Sequence, residues 1–239
     1  TAAPIAVVPA PTPAATLSGV TFSSMPAPTL SNAAAMATTT VGPVMTATFS
    51  DASKLDFKLA YQPFFITGDL VADGNGAKVL AGAYYDINNQ PIIDTTVAGK
   101  ERQFFSDAPD GTSLLTVANA KVTGVKGNAV FAVVQFEYTT WAQDGTTSMY
   151  GRLPSPIAVL TLDQDPATGK LSLVKYHNVD TSAVSGLWIT CGASLSPWGT
   201  HLSSEEYEPN AFTAATDAQF KAFSKNLYGS ETAANPYNY

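Results

Sequence analysis

The sequence predicts an all-β protein, mainly antiparallel, with one short C-terminal helix and a coil N-terminal arm. Three observations carry that prediction. Short segments rich in β-branched and aromatic residues alternate apolar and polar side chains, as half-buried strands do. Turn dipeptides separate them, and Asp73-Gly74, Asp110-Gly111 and Asp144-Gly145 recur 37 and 34 residues apart. Only one stretch, near the end, carries the 3.6-residue period of an amphipathic helix.

Residues 1–18 hold four prolines and no periodicity, which predicts an extended arm. Residues 19–43 stay rich in Ala, Thr and Pro and read as irregular coil. Segments 44–49 and 55–61 alternate around the turn Asp51, Ala52, Ser53 and Lys54, a hairpin signal. Further strands are expected at 79–85, 114–117, 129–138, 157–163 and 171–176, the last two joined by a turn over 165–169. In the helix, Thr216 and Gln219 fit a capping box, Phe220, Phe223 and Leu227 make the apolar stripe, and Gly229 supplies the stop. The final residues, ETAANPYNY, read as coil with no closing strand.

Composition narrows the function. A length of 239 residues fits one large domain or two small ones, and a hydrophobic content of 45% is enough for a real core. No apolar run reaches the roughly 18–20 residues of a membrane helix. A net charge of −7 and a pI near 4.6 argue against nucleic-acid binding, which needs clustered Lys and Arg. Basic amphipathic stretches suited to an anionic membrane surface are also missing. One cysteine cannot form an internal disulfide; that suits the cytosol, and equally an exported protein that does without bridges. The opening Thr1-Ala2-Ala3-Pro4 resembles the end left by cleavage after small residues, so a periplasmic or extracellular location is expected.

Ligand-type side chains concentrate in residues 186–210, GLWITCGASLSPWGTHLSSEEYEPN. This stretch holds Cys191, His201, Glu205, Glu206 and Glu208 in a chain with only 13% charged residues. A thiolate with clustered carboxylates suits a mixed transition-metal and calcium site. Two plainer readings stand beside it. A single cysteine is commonly a buried apolar filler. The run from Ser203 to Glu206 also suits the first turn of a helix, with serine as cap and glutamate on the dipole.

The sixteen residues from Cys191 to Glu206 resemble the pattern C-x-G-x-x-x-P-W-G-T-x-L-x-x-E-E of the PhoX-type alkaline phosphatases. Members of that family are secreted bacterial phosphomonoesterases with an irregular β-propeller fold and an iron–calcium site. Here Gly192, Ala193 and Ser194 follow the cysteine where the family often has two glycines. The segment GVTFSSMPAP (19–28) is similar to the family's entry segment. The resemblance implies that residues 19–239 are the N-terminal portion of such a propeller, completed by further sequence or a second polypeptide. It implies hydrolysis of phosphate monoesters with iron and calcium as cofactors, and that this chain alone is inactive. Cys191 then takes the iron-ligand role and Glu206 the calcium-site role, with Glu205 beside them. Pro197, Trp198, Gly199 and Thr200 would brace the loop. The stretch Gln135, Phe136, Glu137 and Tyr138 stands where the family has Asn-His-Glu-Tyr, so Glu137 is a further candidate ligand. A non-catalytic extracellular metal-binding or assembly protein of the same fold is the alternative function. His177 and His201 are isolated in sequence and read as packing or surface residues. The acidic turn around Asp163 and Asp165 fails the spacing of a calcium loop.

Overall fold

The computed structural model describes residues 14–38, 40–210 and 212–233, in two units that divide between Gln62 and Pro63. The structure is mostly antiparallel sheet with few helices, as the sequence predicts. The predicted arm over 1–13 and the last residues of the expected tail, 234–239, lie outside the described residues.

The first unit is a three-stranded antiparallel sheet of β1 (Leu17–Phe22), β2 (Thr40–Phe49) and β3 (Lys54–Ala60), with β2 in the centre. The β2–β3 hairpin matches the sequence reading. Its turn is held by Asp51 Oδ1, which accepts from the Ser53 N–H at 3.0 Å and hydroxyl at 2.6 Å, while Ala52 takes φ 64°. β1 corrects the expectation of coil over 19–43. Its residues are all exposed, so it forms by backbone pairing with β2 and leaves no buried stripe to be read in the sequence. A short helix, α1 (Ala33–Ala37), interrupts the same region, capped by Asn32 Oδ1 on the Ala35 N–H at 3.0 Å.

The second unit opens with two small hairpins, β4 (Leu70–Ala72) with β5 (Lys78–Leu80) and β6 (Ile93–Asp94) with β7 (Arg102–Gln103). The strand expected over 79–85 ends early. Gly82 takes φ 73° and gives its N–H to the Tyr176 hydroxyl at 2.7 Å, and beyond it only single bridges form, Ala83 to Phe105 and Tyr85 to Pro91. At the centre is a four-stranded meander: β8 (Pro109–Leu115), β9 (Asn128–Phe136), β10 (Ile157–Gln164) and β11 (Leu171–Asn178), paired in chain order. The hairpin β12 (Thr190–Leu195) and β13 (His201–Glu205) follows, then helix α2 (Ala218–Tyr228). No helix among the described residues is long and apolar enough to cross a membrane.

Alternation along β9 and β10 builds the core. Val130, Ala132, Val134 and Phe136 point to one face, Ala158, Leu160 and Leu162 join them from β10, and Tyr176 arrives from β11. Phe65 closes this layer with edge-on contacts to Phe136 and Tyr176 at 6.4 and 5.9 Å. Each large apolar side chain so buried contributes about 1.5–3 kcal/mol. The opposite face carries Val133 and Gln135 of β9 opposite Ser113 of β8, and the hairpin strand β12 lies against both strands.

Helix α2 starts one residue later than the capping box implies. Asp217 is the cap, its Oδ1 accepting from Phe220 N–H at 2.7 Å, and Gly229 ends the helix in the left-handed region. Phe220, Phe223 and Leu227 are buried against Trp188, Ile189 and Ala214, so the helix anchors the segment that leads into Cys191. Trp188 meets Phe223 edge-on at 4.9 Å.

Asp94 is 1% exposed and fully engaged: Oδ1 accepts from Thr96 N–H at 2.9 Å and its hydroxyl at 2.6 Å, Oδ2 from Gln143 N–H at 2.6 Å. Burial alone would raise its pKa, but these hydrogen bonds more than offset burial and hold it below the usual aspartate value. Asp94→Asn sets an amide N–H2 against one of these donors, so thermal or urea unfolding should show a loss of about 1–3 kcal/mol at neutral pH. Because the folded-state pKa is depressed, this stabilisation is present above the ordinary aspartate range and lost as pH falls through the folded value. The gap between native and variant should therefore close on acidification.

Candidate metal centre

Three separate elements deliver the ligand-type side chains to one place. Asp110 belongs to β8, which begins five residues before the expected strand at 114–117. The dipeptide Asp110-Gly111, read from sequence as a turn, lies inside that strand at an irregularity where the register shifts between Pro109 and Thr112. Bulges re-aim side chains, and this one presents Asp110. Glu137 follows β9 directly. Its N–H donates to Ala108 carbonyl at 2.9 Å and its carbonyl accepts from Ser155 hydroxyl at 2.7 Å, which fixes the backbone on both sides. Cys191 sits in β12.

Gly111 makes the approach of β12 possible. A Cβ there would lie 2.5 Å from the Cys191 carbonyl oxygen, the Ala193 Cβ and Gln135 Nε2 alike. Just before Cys191 the backbone is unusual. Ile189, 1% exposed, has φ 36°, an outlier for a β-branched residue, and its carbonyl accepts from Glu206 N–H at 3.0 Å. That bond ties Glu206 to the start of β12.

One ligand atom each from Asp110, Glu137 and Cys191 lie within 4.8 Å of one another. Electrostatics show how tightly the cluster is knit. The Asp110 carboxylate is the largest influence on the Cys191 thiol, followed by burial and then the Glu206 carboxylate, and together they push its pKa up to about 12. Burial, reinforced by the negative charges of Asp110 and Glu206, raises the Glu137 carboxyl. Burial likewise raises the phenols of Tyr138 and Tyr150, which stand edge-to-face at 4.8 Å beside these acids. Among the described residues no lysine or arginine forms an ion pair with Asp110, Glu137 or Glu206. Two unit charges about 5 Å apart repel by roughly 3 kcal/mol at an effective dielectric near 20, less where one is exposed as Asp110 is. A bound cation reverses that balance and deprotonates the thiol.

The remaining sequence candidates go elsewhere. Glu205 is turned to the start of the hairpin, where its Oε1 accepts from Trp188 N–H at 2.7 Å. Trp198 is 71% exposed at the hairpin turn, so the indole does not brace Cys191. Gly199 takes φ 82° in that turn, which is held by Ser196 and Thr200: Ser196 Oγ accepts from Thr200 N–H at 2.9 Å. The run from Ser203 belongs to β13 and does not open a helix. Phe136 is a core residue, and the acidic turn at Asp165 spends its carboxylate on the N–H groups of Ala167 and Thr168, both at 2.8 Å.

Sequence reasoning missed Asp110, taken as a turn residue, and the polar contacts of Gln135 and His201. No local signal marked Asp110, because Asp-Gly is itself a hairpin-turn pair. No family model matches the chain, and neither the curated proteins nor the solved structures yield a match.

Gly111→Ala should force β12 off the sheet and cost about 1–3 kcal/mol in chemical denaturation, the usual range for overpacking. Glu137→Gln removes one repelling charge and should raise the melting temperature of metal-free protein at neutral pH. The sign follows from the raised folded pKa of Glu137: its contribution is favourable at low pH and lost as pH rises through that value. Melting curves in chelator should thus converge on acidification, where native Glu137 is also neutral.

Proposed function

We propose that this chain supplies part of the metal site of a phosphomonoesterase of the PhoX type. The observation that carries the reading is the convergence of Cys191 with Asp110 and Glu137, the Glu206 carboxylate also bearing on the thiol. The donor set fits the group: a thiol and carboxylates suit iron, and the carboxylates alone suit calcium. Asp110 enters the ligand set on geometry, and Glu205 leaves it for the Trp188 N–H. The β8–β11 meander has the form of one propeller blade, which supports the propeller architecture as part of the same reading.

In this scheme Cys191 and the carboxylates hold the cations in fixed positions, and the half-buried setting of Glu137 limits competition from water. Bound iron and calcium would supply Lewis acidity and neutralise charge developing on a phosphoryl group. Tyr138 and Tyr150 stay protonated at neutral pH and can donate hydrogen bonds towards an anionic substrate. Among the described residues no lysine or arginine pairs with the cluster, which favours a second reading, metal binding without catalysis.

Metal analysis combined with p-nitrophenyl phosphate hydrolysis on the native protein separates these readings. Iron and calcium with turnover supports the phosphatase, and both metals without turnover supports the binding protein. Cys191→Ser and Asp110→Asn should each weaken metal retention by at least about 10- to 100-fold, the cost of losing even an outer partner of a ligand. Native protein free of metal after loading would defeat both readings.

A further inference from the structure

A buried polar chain runs from the main sheet to Cys191. Gln135 is the single amide in the otherwise apolar run from Ala129 to Phe136 of β9, and it is wholly buried. Its Nε2 donates to the backbone carbonyl of Cys191 and lies 3.3 Å from that of Gly192. The reverse amide orientation would press two acceptors together, so Oε1 faces the other way, 3.2 Å from His201 Nε2. His201 Nε2 must therefore carry the proton. Its Nδ1 is then an acceptor for the hydroxyl of Ser113, 2.9 Å away and 3% exposed. Desolvation holds the His201 pKa below its ordinary value, in keeping with a neutral ring.

Each member comes from a different strand: Ser113 from β8, Gln135 from β9, His201 from β13 and the Cys191 carbonyl from β12. The β12–β13 hairpin shares no backbone ladder with another described strand, so this chain of side-chain hydrogen bonds straps it to the sheet. The crowding at Gly111 shows how little slack the strap leaves. We propose that Ser113, His201 and Gln135 are positioning residues that set the Cys191 thiol against Asp110 and Glu137, an inference that rests on the metal reading of that cluster. They touch the backbone of the ligand strand and not the metal, as outer partners of metal ligands do.

Cobalt(II) is the probe, because a thiolate ligand gives it a charge-transfer absorption in the near ultraviolet. Native chain should take up cobalt with that band. Gln135→Leu and His201→Phe should lose most of the band and bind about 10- to 100-fold more weakly. His201→Gln keeps an N–H for Gln135 and should restore band and affinity towards native. Circular dichroism confirms that each variant is folded. Nitrogen-15 spectra of the metal-free native protein should show His201 as the neutral Nε2-protonated tautomer, assigned by its absence in His201→Gln. An Nδ1-protonated ring, or folded Gln135→Leu and His201→Phe with native band and affinity, overturns the positioning role and leaves the metal reading standing. Native protein without any thiolate–cobalt band overturns the metal reading, and the inference with it.

Discussion

Negative charge gathered without a cation is the constraint from which the rest of this structure follows. Asp110 and Glu137 stand against the Cys191 thiol and the Glu206 carboxylate bears on both: the thiol rises to about 12, and burial with these charges raises the Glu137 carboxyl above its ordinary value. Such an arrangement works against the fold in the absence of a ligand. Proteins retain destabilising clusters of this kind where a site must be ready for a charged partner. The core of the β8–β11 meander, with Phe136, Leu160 and Tyr176 fully covered, offsets that cost.

Local features around the cluster all serve close approach. The bulge at Asp110 turns a carboxylate out of an edge strand, Gly111 removes the Cβ that would block β12, and Ile189 accepts an unfavourable φ just before Cys191. Trp188 and Ile189 are clamped by Phe220, Phe223 and Leu227 of α2, so apolar packing on one side of the segment holds the strained backbone that places the thiol on the other. Hydrophobic burial and polar recognition are thus divided between neighbouring residues of one short stretch.

The fold was legible wherever burial imposes a period. β9, β10, β11 and α2 stand where alternation or an apolar stripe puts them, since a strand or helix with one buried face must write that face into the sequence. The β2–β3 hairpin, with β3 almost wholly exposed, was marked instead by the turn at Asp51 to Lys54 between its strands. β1 was not legible, because it is exposed on both faces and owes its form to pairing. Of the site, Cys191, Glu137 and Glu206 were visible as residue types within a motif. Asp110 was hidden: Asp-Gly marks hairpin turns far more often than bulges, and what distinguishes this pair is a strand 80 residues later in the chain pressing on Gly111. The same distance concealed the partnership of Ser113 and His201, which no local pattern records.

X-ray absorption at the iron edge of metal-loaded native protein tests the central claim most directly. The account predicts one sulfur neighbour at about 2.3 Å, the length typical of a metal–thiolate bond, together with carboxylate oxygens. A first shell made of oxygen and nitrogen alone, with no sulfur, would contradict it.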